Sequence, residues 1–273
     1  MGIVDPGTAV ANTDTGSFLI TPVERPVFHP EMRTLCSAAG VPGKWIAEAG
    51  ILTTGIVYQW FAREIGSGRG AGDGPGDADQ SDVQKADMER LNEIASQSPV
   101  GSNGVVVLPH FAGAAAPFWN ADARGIIANI GLSTTRSDMA RAVLESIAME
   151  LGMNFDLLVE QCGDISEVAV AGGLTRIALF NQMQADSFDT PVRLSAVPGA
   201  SAFGAMISAT VNLGVYPDHL QAYQSLSGHS EEYVFPDEAG RRALQDNKDL
   251  RRELHDTLES GGIYRRMRTL RAE

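Results

Sequence analysis

The sequence predicts an α/β fold, and two observations carry that prediction. Short β-branched or small-residue runs alternate with longer amphipathic stretches along the chain. Near the middle, Val168-Ala169-Val170-Ala171-Gly172-Gly173 leads into Leu174 through Asp186, which reads as buried strand, glycine pair and helix. Glycine lets the chain turn without a Cβ clash. A helix that follows aims its unpaired N–H groups back at the turn, and bare backbone at such a place suits phosphate oxygens. The same glycine pair is also ordinary α/β architecture, so alone it leaves ligand and fold as open alternatives.

From the N-terminus, Asn12 to Gly16 reads as a turn and Ser17 to Thr21 as a strand. Prolines make Pro22 to Pro30 a loop or edge strand. Ile46 to Ile65 reads as largely helical, interrupted near Gly50 and Gly55. Residues 66–80, rich in glycine and aspartate, cannot bury apolar surface and are expected to form a mobile surface loop. Ser81 to Ser98 regains a helical pattern, with Val83, Met88, Leu91 and Ile94 on one face.

The β-branched run Val105, Val106 and Val107 makes Gly104 to Leu108 a strand, and Arg124 to Ile130 reads as another. Ser137 is the expected N-cap of the next helix. There Met139, Val143 and Ile147 recur every four residues, and Arg141 and Glu145 fall together on the polar side. Strand 167–171, helix 175–188, strand 191–195 and helix 201–213 complete the alternation. Ala200, Gly204 and Ser208 form a small-residue stripe that permits close packing. From Glu238 to Leu270 the chain is charged and helical, and its paired arginines (Arg241-Arg242, Arg251-Arg252, Arg265-Arg266) read as a solvated face.

The 273 residues are 44% hydrophobic and 20% charged, enough to bury a substantial core. A net charge of −13 and a pI of about 4.8 argue against nucleic acid as a partner. No apolar run is long enough to span a membrane, and no basic leader precedes one. P-loop, G-x-G-x-x-G and G-x-S-x-G motifs are all absent. Cys36 and Cys162 stand far apart with no C-x-x-C spacing, as expected of reduced thiols in a cytoplasmic protein. His29, His110, His219, His229 and His255 are scattered, so no metal site is predicted.

Several segments together resemble the C-terminal domain of the FGGY carbohydrate kinases, the group of glycerol kinase, xylulokinase and ribulokinase. Gly125 to Glu145 is similar to a family signature through Gly125, Ile127, Ile130, Asp138, Met139, Ala142, Val143, Leu144 and Glu145, with Asn129 where the family has glycine. Leu108 to Gly113 and Ala116-Pro117-Phe118-Trp119-Asn120 resemble the approach to that signature. Thr53-Thr54-Gly55 with Gln59-Trp60 resembles a segment of the nucleotide pocket. Ala171-Gly172-Gly173 to Asp186 resembles the adenosine-binding strand, turn and helix, and Ala200 to Ala205 the small-residue helix behind it.

The resemblance implies an actin- and hexokinase-like (ribonuclease H-like) ATPase fold, the C-terminal half of a two-domain kinase. Residues 1–220 would form the nucleotide-binding domain and 221–273 a helical extension packed on it. The implied ATP-binding residues are Thr15, Gly16, Gly55, Gln59, Gly172, Gly173 and Ile177. Thr15 and Gly16 would face the β- and γ-phosphates, while Asp14 stands near the place of a family glycine, where an acid must turn away or face a metal. Gly172 and Gly173 would lie along the α-phosphate and adenosine, with Gly55 and Gln59 flanking the nucleoside. Ile177 and Ala178 replace family asparagines, so an apolar slot remains for the base. Glu145 and Asp186 are expected to cap or pair rather than catalyse.

The catalytic aspartate, the sugar or polyol site and most ligands of the Mg²⁺ that accompanies ATP would lie in an N-terminal domain upstream of Met1. In the complete enzyme that aspartate would take the proton of the attacking hydroxyl. The isolated chain is therefore expected to be inactive, to bind ATP weakly, and to favour a homodimer through bare apolar surface. A non-catalytic regulatory or interaction module that keeps the actin-like fold is the alternative.

Overall fold

A computed structural model describes residues 2–66, 80–195, 197, 199–228 and 232–270. The strands are β1 (Thr8–Thr13), β2 (Ser17–Val23), β3 (Leu35–Ala38), β4 (Trp45–Ile51), β5 (Val106–Leu108), β6 (Ile126–Ala128), β7 (Glu167–Ala171), β8 (Val192–Leu194) and β9 (Glu232–Val234). The α-helices are α1 (Gly55–Phe61), α2 (Gln80–Ser96), α3 (Arg136–Cys162), α4 (Ala178–Phe188), α5 (Ala200–Asn212), α6 (His219–Leu226), α7 (Glu238–Ser260) and α8 (Ile263–Thr269). The main sheet has the order β3-β4-β2-β1-β7-β8-β9, while β5 and β6 pair separately. Only β1–β7 and β7–β8 are parallel in that sheet. Both parallel pairs are joined through helices, as parallel pairing requires.

Three elements differ from the sequence reading. Residues 45–51 are strand β4 rather than helix. The sheet takes them because Ala47, Ala49 and Ile51 alternate inward at period two, a pattern that a helical template over 46–65 obscures. The expected helix 175–188 opens as a 3₁₀ turn, Gly173–Arg176, and becomes α-helical only at Ala178. Helix α3 is capped by Thr135, not Ser137: Thr135 Oγ1 accepts from Asp138 N, and Thr135 N donates to the Asp138 carboxylate at 2.8 Å. The loop expected over 66–80 falls on 67–79, outside the described residues, as does the side chain of Val83.

Helix α3 organises the core, packing on β2, β4, α1, α2, α4 and α7. Leu144, Ile147, Ala148, Leu151 and Leu158 are buried, and so are Arg141 and Glu145, which the helical pattern assigned to a polar side. The pair survives burial because each partner finds further hydrogen bonds beyond the ion pair. Arg141 Nε meets Glu145 Oε1 at 2.7 Å and Nη1 donates to Ser98 O, while Glu145 accepts from Gly101 N and Ser102 Oγ. Glu145 thus fixes the bend that feeds β5. Asp186 accepts from Gln182 Nε2 and Asp237 N, which ties α4 to the start of α7.

Asp138 binds the same bend, accepting from Ser98 Oγ at 2.7 Å and Asn103 Nδ2 at 2.8 Å. The Ser98 hydroxyl, then the Thr135 amide and hydroxyl, push its carboxyl down to about 2. An unfolded aspartate titrates near ~3.9. Its stabilising contribution is therefore complete above that value and is lost as pH falls towards 2. Asp138→Ala is expected to cost about 2 kcal/mol at pH 7 from the lost cap and hydrogen bonds. In urea titrations the gap between variant and parent should close progressively between pH 4 and pH 2, where the parent loses the same interaction.

Candidate nucleotide pocket

Parallel pairing brings the carboxyl ends of β1 and β7 side by side, with Asn12 opposite Ala171. The turn after each strand therefore emerges at one edge of the sheet, and the carboxyl ends of parallel strands are where open α/β sheets bind ligands. The β1–β2 turn is pinned from the other side. Thr54 Oγ1 donates to Asp14 O at 3.0 Å, Ser17 Oγ donates to Thr54 Oγ1, and Gly55 N donates to Asp14 O at 2.9 Å. The β7 turn is locked by Thr175 Oγ1 on Gly172 O and Asn181 Nδ2 on Thr175 O.

Two glycines are needed for these backbones to meet. A Cβ on Gly172, whose φ is +103°, would lie 2.2 Å from Thr13 O, and one on Gly55 would lie 2.4 Å from Asp14 O. Both are thus fixed by chain-to-chain contact. A Cβ on Gly173 would meet only Asp14 Oδ1, at 3.5 Å. Of the glycine pair, Gly173 is the one that offers open space.

A cavity of about 300 Å³ opens beside Gly173, at the low end of small-molecule clefts. Four segments wall it: Asp14 from the β1–β2 turn, Gly55 and Gln59 from α1, Lys85, Met88, Glu89 and Asn92 from α2, and Gly173, Leu174, Arg176 and Ile177 from the turn after β7. Of the residues expected at a nucleotide site, Gly55, Gln59, Gly173 and Ile177 line this cavity. Thr15, Gly16 and Gly172 belong to the turns that shape it and are not in its walls. Asp14 lines it instead. Two amides at the 3₁₀ turn are spent internally, Thr175 N on Gly172 O and Ile177 N on Leu174 O.

The α2 wall was missed by sequence reasoning. Met88, Leu91 and Ile94 mark an apolar stripe on that helix, but nothing in the periodicity says that Lys85, Met88, Glu89 and Asn92 join α1 and the Gly173 turn around one cavity. Buried Tyr58 of α1 donates its hydroxyl to Asn92 Oδ1 at 2.9 Å, joining the two helices at the cavity. Burial holds the Tyr58 hydroxyl protonated by raising its pKa. Among the described residues no group of three or more His, Cys, Asp or Glu gathers to hold a metal, and no helix is long and apolar enough to cross a membrane.

Residues 9–213 match the C-terminal domain of the FGGY family of carbohydrate kinases. The chain belongs to that family. Glycerol kinase 2 of Streptomyces avermitilis is 30% identical over 78% of the chain and 40% of its own length, and the glycerol kinase of Gloeobacter violaceus is 29% identical over 88% and 44%. Xylulose kinase of Lactobacillus acidophilus superposes with a TM-score of 0.80 at 21% identity, covering 94% of this chain and 48% of that one. Plasmodium falciparum glycerol kinase, solved with ADP, gives 0.73 at 24% identity, covering 92% and 47%. The FGGY chain described here therefore spans less than half the length of these relatives, and its mixed α/β fold is that of their C-terminal half, the actin-like fold expected from the sequence.

Proposed function

We propose that this FGGY domain is the nucleotide half of an ATP-dependent sugar or polyol kinase and that it transfers no phosphate alone. The cavity at the joined ends of β1 and β7, open at Gly173 and walled by Gln59 and Ile177, carries the reading. A nucleotide there would set its base against Leu174 and Ile177, while Lys85 and Arg176 supply positive charge for phosphates. Magnesium would arrive with the triphosphate, and Asp14 is the carboxylate beside the Gly173 turn.

The reaction itself, attack of a substrate hydroxyl on the γ-phosphorus, needs a base and a substrate cleft supplied by the other half of the kinase. The apolar surface of α5, of which only Ile207 is buried while Met206 stands exposed, supports contact with that half. With one wall of the cleft contributed by another domain, affinity should be modest. Calorimetry with Mg-ATP should show saturable binding in the high-micromolar to millimolar range, and coupled assays with glycerol or xylulose should show no turnover by the 273-residue chain. Absence of nucleotide binding would favour the non-catalytic module, and phosphorylation by the chain alone would refute the half-enzyme reading.

A further inference from the structure

Leu174 and Ile177 give the cavity an apolar face from the turn after β7. The cavity also has a polar wall, from a different element. Glu89 and Asn92 of α2 both line it, and a spacing of three puts them next to each other on one helix face. Their chemistry is complementary. A carboxylate only accepts hydrogen bonds, whereas an amide both donates and accepts. The Tyr58 hydroxyl, itself buried, occupies Asn92 Oδ1 and so turns Asn92 Nδ2 into the group left to donate. An acceptor therefore stands beside an oriented donor in the wall of a cavity that Leu174 and Ile177 also line.

We propose that Glu89 and Asn92 read the base edge of the bound nucleotide, with Glu89 accepting from the adenine 6-amino group and Asn92 Nδ2 donating to ring N1. Tyr58 acts as a positioning residue for Asn92. The assignment rests on the reading of this cavity as a nucleotide site and adds which residues select the base. Adenine presents a donor at position 6 beside an acceptor at N1. Hypoxanthine reverses both, placing an oxygen against the Glu89 carboxylate and an N–H against Asn92 Nδ2. A site built on such pairing rejects the mismatched base because its own polar groups are left unpaired.

The test displaces a fluorescent anthraniloyl-ATP from the full chain with ATP, ITP or inorganic tripolyphosphate. The parent protein should prefer ATP to ITP by about tenfold or more, in line with one or two lost hydrogen bonds. Glu89→Ala and Asn92→Ala should each bring the ATP/ITP ratio close to one while leaving tripolyphosphate displacement unchanged. Tyr58→Phe should lower the ratio in part, through the freed Asn92 amide. Circular dichroism of both alanine variants and the urea midpoint of Glu89→Ala should match the parent, whereas Asn92→Ala, which strands the buried Tyr58 hydroxyl, should keep the fold with a lowered urea midpoint. A parent that does not distinguish ATP from ITP, or variants that keep its ratio, overturn the base-reading assignment and leave the nucleotide site standing. If no nucleotide displaces the probe, the nucleotide reading fails and the base-reading assignment fails with it.

Discussion

Arg251→Ala is expected to cost about 3–5 kcal/mol, because it strands a buried carboxylate. The sequence placed Arg251 in a solvated arginine pair, yet it is 1% exposed. Its Nε donates to Val107 O at 2.8 Å, its Nη1 donates to Ser146 O at 3.0 Å, and its Nη2 lies 3.5 Å from Glu150 Oε2. The other Glu150 oxygen lies 3.2 Å from His110 Nε2. Burial alone would raise the Glu150 pKa, but the pull of His110 and Arg251 outweighs it and holds the carboxyl below its ordinary range. Truncation leaves two carbonyls and this carboxylate with lost donors in a site that water does not reach. Against a total stability of about 5–15 kcal/mol, such a loss brings a domain close to unfolding at 25 °C.

The pH dependence carries the sign. A depressed carboxylate stabilises above its unfolded pKa, near ~4.3, and that contribution fades as pH falls through the lower folded value. The Arg251→Ala defect should therefore be full at pH 7 and shrink as pH falls through the lowered folded value, because a protonated Glu150 needs no cation. A double-mutant cycle with Glu150→Gln, read by urea midpoints at pH 7, should show a coupling of about 2 kcal/mol. Additive losses would show that Arg251 acts through its carbonyl contacts alone.

Gly172→Ala should be as damaging for a different reason. At φ +103° any Cβ is strained, and here it would meet the Thr13 carbonyl oxygen, carbonyl carbon and nitrogen at 2.2, 2.5 and 2.8 Å. Those atoms are backbone of β1, whose pairing with β7 forms the centre of the sheet, so relief requires the two strands to part. A loss of about 3 kcal/mol or more follows from strain plus disrupted packing. The neighbouring glycine should behave oppositely. Gly173→Ala finds ordinary contact at 3.5 Å, and should be neutral or slightly stabilising by up to about 1 kcal/mol. Gly173→Leu should keep the fold but fill the cavity floor, lowering nucleotide affinity at least tenfold. If Gly172→Ala is tolerated, or if Gly173→Leu binds nucleotide as the parent does, the division of labour between the two glycines is wrong.

Some of this was legible without coordinates. Strand 167–171 declared itself because Val168, Ala169 and Val170 form a short apolar run ended by a glycine pair, and those signals are local. Helix α3 was visible through its four-residue repeat, though its cap was misplaced by two residues because Thr135 and Ser137 are both good capping residues and only the reach of Asp138 chooses between them. Strand β4 was misread because a strand in the interior of a sheet owes its conformation to β2 and β3 on either side, which a single window does not contain.

The sequence by itself determined the α/β class, the glycine pair that ends β7 and the membership of the FGGY group, since each depends on residue types and their order along the chain. Tertiary structure alone decided which glycine is open, that α2 supplies the polar wall, and that Arg251, His110 and Glu150 meet in the core. The physical reason is the same in each case. Burial, charge pairing and the room for a Cβ are set by atoms tens of residues away, and local periodicity carries no record of which distant segment will arrive there.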